Sequence, residues 1–338
     1  MAMFALNMTV IALELTQDDP NFEDIAIQTY EQFLAICDAF SGRAADRLSM
    51  WDGDSAFFKD LIVGPDGAYR HIDVYSMVGF IPLFAAEVVD ARLLRHSPRF
   101  RERLRTHKEG LFRGHHVCAC PDFENKRGEH LLSVVDHRMI RPILTRLLDE
   151  EQFLSPFGVR SVSKIHERHT DLGVLPGVGS AMIEYVPGES TSPLFGGNSN
   201  WRGPIWLPVN YLLVQSIEKF YRFMGDGFTM RVRGSDTRLT LKAVADLISE
   251  RTANLYRRGG SATAPAMQGQ ALFSDDPHSR DLALFYEYFH AETGQGLGAS
   301  HQTGWTALIA NFMLRTGRDD IPGFWSERET DKGVAKLA

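Results

Sequence analysis

Cysteine is scarce in this chain: 338 residues hold three, Cys37, Cys118 and Cys120. Three are too few for a disulfide framework, and the C-x-C at 118–120 has no second cysteine pair with which to complete a zinc site. His115 and His116 stand nearby, but the set lacks its other half, so free or buried thiols and no metal are expected. Surplus base is missing as well. The chain carries 36 Lys and Arg against 43 Asp and Glu, a formal net charge of −7, with the two signs interspersed. A phosphate-binding surface needs clustered positive charge, so nucleic acid is not an expected partner.

Long apolar runs are absent too. The opening MAMFALNMTVIALELTQDD is interrupted by Asn7 and Glu14 and has neither a basic flank nor a small-residue cleavage site. It reads as neither a signal peptide nor a membrane span; no membrane partner is expected, and a reducing cytoplasm is the expected location. No Pro/Ser-rich linker divides the chain, so residues 1–338 are read as one domain. A fixed repeat of about 33–47 residues, the mark of a helical solenoid, is not found. Neither G-x-S-x-G nor H-E-x-x-H occurs. The G-x-G at Gly296 and Gly298 follows no predicted strand and lacks a correctly placed third glycine, so no cofactor is expected.

What is present is a globular composition, 44% apolar and 23% charged, which excludes a disordered, collagen-like or coiled-coil chain. Met3, Leu6, Val10 and Leu13, then Ile25, Phe33 and Leu34, recur at helical spacing. The first helix opens at residue 1 with no Ser, Thr, Asp or Asn ahead of it as a cap. Further helices are predicted over 21–40, 77–90, 96–108, 136–150, 209–223, 240–257 and 305–316. Gly64-Pro65-Asp66-Gly67, between β-like runs at 57–63 and 68–72, predicts a small hairpin. Residues 155–208 and 259–304 have little periodicity, and so long an irregular stretch in a compact domain is usually functional. Strands are otherwise nearly absent from this reading. The pattern suits an all-α fold, a toroid of helical hairpins whose long loops form a cleft at one rim.

Four segments carry chemistry. Asn200-Trp201-Arg202-Gly203-Pro204-Ile205-Trp206 sets two indoles and a guanidinium directly before a helix. Indole faces stack on sugar rings, and Arg presents planar donors to hydroxyls, although buried Trp residues equally cap a core. Phe285-Tyr286-Glu287-Tyr288-Phe289-His290 flanks one carboxylate with aromatics. Such a Glu is either solvated or partly desolvated, and the second state suits a general base. His301, Gln302 and Trp305 open a helix after a run of small residues and read as a tight loop lining a pocket. Trp51-Asp52, with Asp54 close by, could hold sugar hydroxyls or simply form an acidic turn.

Together these segments resemble glycoside hydrolase family 63, particularly its large bacterial glucosidase-like members. The matching pieces are Trp51-Asp52 with Phe57-Phe58-x-Asp60, Ser76-Met77-Val78-Gly79-Phe80-Ile81-Pro82-Leu83-Phe84, LFGGNSNWRGPIW at 194–206, and FYEYFHAETGQGLGASHQTGWT at 285–306, in the family's order. The resemblance implies an (α/α)6 toroid that hydrolyses α-glycosidic bonds with inversion. Inversion uses two carboxyl groups about 6.5–9.5 Å apart, an acid on the leaving oxygen and a base on the attacking water. The resemblance makes Glu287 the base, with Trp51, Asp52, Trp201, Arg202, Trp206, His290, His301 and Trp305 on the carbohydrate substrate. It sets the acid on an Asp ahead of the opening helix, outside these 338 residues.

One departure is local: the family tends to read W-D-x-x-D-G-F-F, where this chain has Ser55 and Ala56 in place of Asp-Gly. Six hairpins also need twelve helices and only about eight are counted, so the toroid is expected to be incomplete at the N-terminus. A catalytically inactive carbohydrate-binding fragment is the alternative, and a sugar epimerase working through His290 and His301 a more distant one. On this reading the chain alone is inactive and poorly folded, with Met3, Leu6, Val10 and Leu13 stranded. If it did hydrolyse, Asp52 is the first candidate for an internal acid.

Overall fold

The computed structural model describes residues 1–41, 48–112, 124–168, 170–175, 177, 179–189, 201–232, 237–258, 263–279 and 282–317. Cys118, Cys120, His115, His116 and residues 194–200 of the LFGGNSN run lie outside them. The α-helices are α1 (Ala2–Leu15), α2 (Phe22–Ser41), α3 (Ala91–His96), α4 (Pro98–Phe112), α5 (His137–Leu147), α6 (Leu207–Met224), α7 (Leu241–Ala253), α8 (Ala271–Asp275), α9 (Thr303–Thr306) and α10 (Ile309–Gly317). Between them run antiparallel two-stranded ladders: β1–β2 (Trp51–Asp52, Phe57–Phe58), β3–β4 (Leu61–Val63, Tyr69–His71), β5–β6 (Ala86–Val89, His130–Ser133), β7–β8 (Leu154–Ser155, Gly158–Val159), β9–β10 (Thr170–Leu175, Gly179–Ile183), β11–β12 (Thr229–Arg231, Arg238–Thr240) and β13–β14 (Tyr288–Phe289, Gly296–Leu297). Among the described residues no helix is long and apolar enough to cross a membrane.

Two expectations are corrected here. Strands are not nearly absent; they are short, two to six residues, below the length at which alternation can be read from sequence. The helix expected over 77–90 is a 3-10 helix, Met77–Phe84, followed by β5. Pro82 lacks the N–H that an α-helix needs there, and the β-branched Val88 and Val89 pair with Leu131 and His130 instead. The hairpin foreseen around Gly64–Gly67 is β3–β4.

The described residues form two compact units. One comprises Met1–Asp149, Arg168–Glu184 and Lys219–Leu241, the other Glu150–Glu167, Tyr185–Glu218 and Lys242–Ala338. In the first, α1 and α2 lie against each other, and their shared core takes in Leu6, Leu13, Tyr30, Phe33, Cys37, Phe100 and Leu104. Burying each large apolar side chain stabilises by about 1.5–3 kcal/mol. Helix ends are closed by side chains. Asp90 accepts from the Leu93 N–H at the start of α3, and Asp136 accepts from the N–H groups of Arg138 and Met139 at the start of α5. Glu23 is buried because it caps another helix: its Oε1 accepts from the N–H groups of Arg99 and Phe100 at 2.7 and 2.9 Å, where α4 begins.

Helix α1 starts without a side-chain cap, as its sequence indicates. The residues expected to be stranded on it are not. Leu6 and Leu13 are fully buried, and Met3 and Val10 pack half-buried on the same core. Met1, Phe4, Met8, Ile11 and Leu15 are the exposed ones. A helix apolar on every side has two stripes with the same period, and periodicity cannot say which one faces inward.

Candidate functional site

In the second unit the candidate base stands on a hairpin. β13 and β14 pair Tyr288 with Leu297 and Phe289 with Gly296, and the chain turns through His290–Gln295. The pairing continues past the strands: the Glu287 N–H donates to the Ala299 carbonyl (2.9 Å), and the Phe285 N–H to the Ser300 carbonyl (3.0 Å). Glu287 itself is half-buried, and its Oε2 accepts from the Ala299 N–H at 3.4 Å. Gly298, at φ 71°, is the residue that permits this approach. A Cβ there would come within 2.5 Å of the Tyr288 ring and 2.9 Å of Glu287 Oε2.

The Trp201–Trp206 segment runs beside this hairpin. Ile205 and Phe289 exchange backbone hydrogen bonds of 2.8 and 3.0 Å, and on its other side Ile205 bridges to Arg160. Three stretches distant in sequence thus form one small antiparallel array. Trp206 is stacked on Trp201 (ring centroids 3.9 Å apart, planes 6° apart) and on Tyr288 (5.1 Å, 25°), with Trp305 edge-on at 6.0 Å. Trp206 is 4% exposed, whereas Trp305 is 37% exposed. Trp206 therefore acts as the rigid centre of the cluster, and the more open rings of Trp201 and Trp305 are the ones with surface to offer a ligand.

The other expected residues of this unit divide by exposure. Arg202 is buried, and its carbonyl accepts from the Val186 N–H at 2.9 Å. His290 Nδ1 accepts from the N–H groups of Glu292 (3.3 Å) and Thr293 (3.2 Å), which ties its ring to the turn. Burial lowers the His290 pKa, against an opposing pull from Glu292, so the ring is neutral at pH 7. His301 is exposed and bridges to Phe285 through the backbone. An apolar cavity of about 390 Å³ lies among Tyr256, Met267, Phe273, Phe285, Ile309 and Met313. Its lining offers few partners for sugar hydroxyls.

Sequence reasoning assigned no role to the group that anchors the hairpin. Arg160, fully enclosed, reaches Glu292 Oε1 through Nε (2.9 Å) and Nη2 (2.8 Å), and donates through Nη1 to the carbonyls of Glu150 (2.9 Å) and Leu154 (2.8 Å). The Tyr185 hydroxyl donates to the same carboxylate oxygen at 2.5 Å. Burial and the bond to Glu292 push the Tyr185 pKa upward, so it remains a donor. Burial alone would raise the Glu292 pKa, but the Tyr185 hydrogen bond and the Arg160 charge outweigh it and the net direction is down. The available signal was an Arg within the β-like Val159-Arg160-Ser161-Val162-Ser163, a position that buries a charge only when a partner waits for it.

Trp51 and Asp52 belong to the first unit. They form β1, and the turn to β2 contains Ala56 at φ 50°. That is the left-handed region, and Ala56 is one of the two residues that depart from the family's Asp-Gly, so an L side chain stands where glycine is preferred. Asp52 Oδ2 accepts from the Ser55 hydroxyl (2.6 Å) and lies 3.0 Å from Lys59 Nζ. Lys59, buried, also pairs with Asp73 at 2.7 Å and lies over the Tyr75 ring. Burial opposes ionisation of Asp52, yet the bonds from Ser55, Lys59 and the Asp54 N–H prevail and hold its pKa at about 2. Asp52 is an anion at neutral pH and has no proton to donate. Among the described residues no cluster of three or more His, Cys, Asp or Glu could hold a metal ion.

The family model for the mannosylglycerate hydrolase MGH1-like glycoside hydrolase domain matches residues 130–306, more than half of the chain. The chain belongs to glycoside hydrolase family 63. It is 36% identical over 334 residues to the uncharacterized protein YMR196W of Saccharomyces cerevisiae, a match that covers 94% of this chain and 30% of the relative. It is 23% identical over 179 residues to the probable mannosyl-oligosaccharide glucosidase of Schizosaccharomyces pombe, covering 53% of this chain and 16% of that one. The family 63 mannosylglycerate hydrolase of Thermus thermophilus, solved with glucose, aligns over 93% of this chain and 43% of its own at 16% identity and a TM-score of 0.38. The chain thus spans under half the length of these relatives. The family-model match takes in the Arg160, Trp201–Trp206 and Glu287 segments together.

Proposed function

We propose that this chain, both units included, is the C-terminal portion of an (α/α)6 catalytic domain that hydrolyses α-glycosidic bonds with inversion. The substrate is a glucosyl or mannosyl glycoside or oligosaccharide, the class to which the names of its relatives point. One observation carries this reading: a half-buried carboxylate, Glu287, stands on a pinned hairpin beside the Trp201–Trp206–Tyr288–Trp305 cluster. In this reading Glu287 takes the proton from the attacking water while Trp201 and Trp305 offer ring faces to the sugar. Arg202 and His301 complete the sugar site of this unit, and Trp206 and His290 hold the surrounding loops in shape.

The acid comes from polypeptide outside these 338 residues. The low pKa of Asp52 supports that division of labour, since an inverting acid must be protonated when substrate arrives. The epimerase alternative is disfavoured by His290, whose Nδ1 is already engaged by two backbone N–H groups. The test uses the natural polypeptide that contains this chain, with a p-nitrophenyl α-glycoside followed by NMR from the moment of mixing. The β-anomer should appear first; the α-anomer would sink the inverting mechanism. Glu287→Gln should lower turnover ~10²–10⁴-fold with the fold intact. Near-normal turnover in that variant would remove Glu287 from the role of base.

A further inference from the structure

The segment Tyr185-Val186-Pro187 runs between the two stretches that form the proposed site. On one side the Val186 N–H donates to the Arg202 carbonyl at 2.9 Å. On the other the Pro187 carbonyl accepts from the Ala291 N–H at 2.8 Å, in the turn of the Glu287 hairpin. The buried side chain of Tyr185 repeats that division. Its ring lies against Gly203, where a Cβ would come within 2.6 Å of it, so the Trp201–Trp206 loop passes the ring only as glycine. Its hydroxyl donates to Glu292 Oε1 at 2.5 Å and accepts from Arg160 Nε at 3.1 Å.

Charge neutralisation does not account for this hydroxyl. Arg160 already reaches the Glu292 carboxylate through two nitrogens, so Tyr185 adds direction rather than charge. Direction is what the site needs. The backbone bonds between loop and hairpin fall at one place, Ile205 with Phe289, and Trp206 stacks on the neighbouring Tyr288. One such place leaves the angle between the two stretches to be set elsewhere. Glu287 is two residues from Phe289, roughly 7 Å along an extended strand, so a tilt of ~10° there moves it about 1 Å relative to the loop. A misplacement of that size costs up to ~10²-fold in rate. Glu292 lies on the other side of Phe289, where a second tie resists the tilt.

We propose that Tyr185 is a positioning residue, which holds the Trp201–Trp206 loop and the Glu287 hairpin at the angle that sets the base against the sugar. The inference rests on the reading of Glu287 as that base. The two ends of the side chain divide the work. The ring seats the loop through Gly203, and the hydroxyl holds the hairpin through Glu292. Substitutions that remove one end or both therefore separate the two effects.

The test uses the natural polypeptide that contains this chain, with a p-nitrophenyl α-glycoside as substrate. Tyr185→Phe keeps the ring against Gly203 and releases Glu292, so kcat should fall roughly tenfold while KM stays within about twofold. Tyr185→Leu gives up the ring as well, and should lower kcat and raise KM together. Should Tyr185→Phe not fold, Glu292→Ala removes the other partner of the same bond and should reproduce the loss in kcat. The decisive measurement is made in Glu287→Ala with added azide, which attacks the anomeric carbon without needing a base to take its proton. There Tyr185→Phe should change the azide-rescued rate by less than about twofold, since no base remains to be misplaced. A tenfold loss in that background too, a rise in KM alone, or unchanged kinetics beside an inactive Glu287→Gln would each overturn the role of Tyr185 and leave Glu287 the base. Near-normal turnover of Glu287→Gln is a different failure: it removes the base, and the proposal with it.

Discussion

Replacing Arg160 with Met keeps the unbranched stem as far as the position of Nε and removes every hydrogen bond of the side chain. The carbonyls of Glu150 and Leu154 lose donors at 2.9 and 2.8 Å, and a buried acceptor left without a donor costs ~1–3 kcal/mol. The low end applies if water follows the smaller head group into the gap. Breaking a fully buried ion pair from one side costs about 3–5 kcal/mol, but the Glu292 side chain is 33% exposed and keeps its Tyr185 donor, so ~1–2 kcal/mol is appropriate here. The expected loss is therefore about 3–4 kcal/mol out of a typical domain stability of ~5–15 kcal/mol.

Urea unfolding followed by circular dichroism measures that loss directly. Glu292→Gln, which retains an acceptor for both donors, should lose only ~1–2 kcal/mol. The ordering is the sharper part of the prediction. pH supplies a further check: the folded Glu292 pKa lies below its unfolded value, so the stability it contributes is complete above ~4.5 and declines as pH falls through the folded pKa. The gap between the wild-type chain and Arg160→Met should accordingly narrow below pH ~4.5. A loss under ~1 kcal/mol for Arg160→Met, or a larger one for Glu292→Gln, would refute the idea that Arg160 anchors the hairpin.

Gly203→Ala should destabilise by ~2 kcal/mol or more in the same assay, because the added Cβ would press on the Val186 carbonyl and the Tyr185 ring, both held by the surrounding array; a neutral result would show that the loop can shift. His107 is buried edge-on to Tyr30, with ring centroids 6.0 Å apart. Burial, aided by the Arg103 charge, lowers its pKa to about 4. The folded chain thus favours the neutral ring, and the stability this confers is complete above the unfolded pKa near 6.5 and lost as pH falls toward 4. Between pH 8 and pH 5 the chain should lose about 2 kcal/mol, and His107→Phe should abolish most of that slope in paired denaturation curves.

The sequence alone was enough to outline most of the helices and to point to the family. Helices predicted at 21–40, 136–150 and 209–223 correspond to α2, α5 and α6, because each has several turns over which a 3.6-residue period can repeat. The Trp201–Trp206 and Glu287 segments stood out because clustered indoles and a carboxylate among aromatics are uncommon together. They lie within the region that the family model matches. Ala56 was visible too, as a departure from the family's glycine, and the structure shows what it entails, an L residue at φ 50°.

Tertiary structure decided what depends on partners remote in the chain. Nothing local to Val88 and Val89 announces a strand; they extend because Leu131 and His130 lie opposite, while Pro82 prevents the preceding helix from running on. Which stripe of α1 turns inward was settled by the shape of α2 and its neighbours, since both stripes are apolar and equally periodic. Trp206, open in the sequence to a place on the sugar or in the core, has Trp201 and Tyr288 stacked on it in the fold. Asp52 and Arg160 make the same point through charge. An ionisable side chain takes its protonation state and its role from groups brought within about 3 Å of it, and only the fold brings Lys59 to the one and Glu292 to the other.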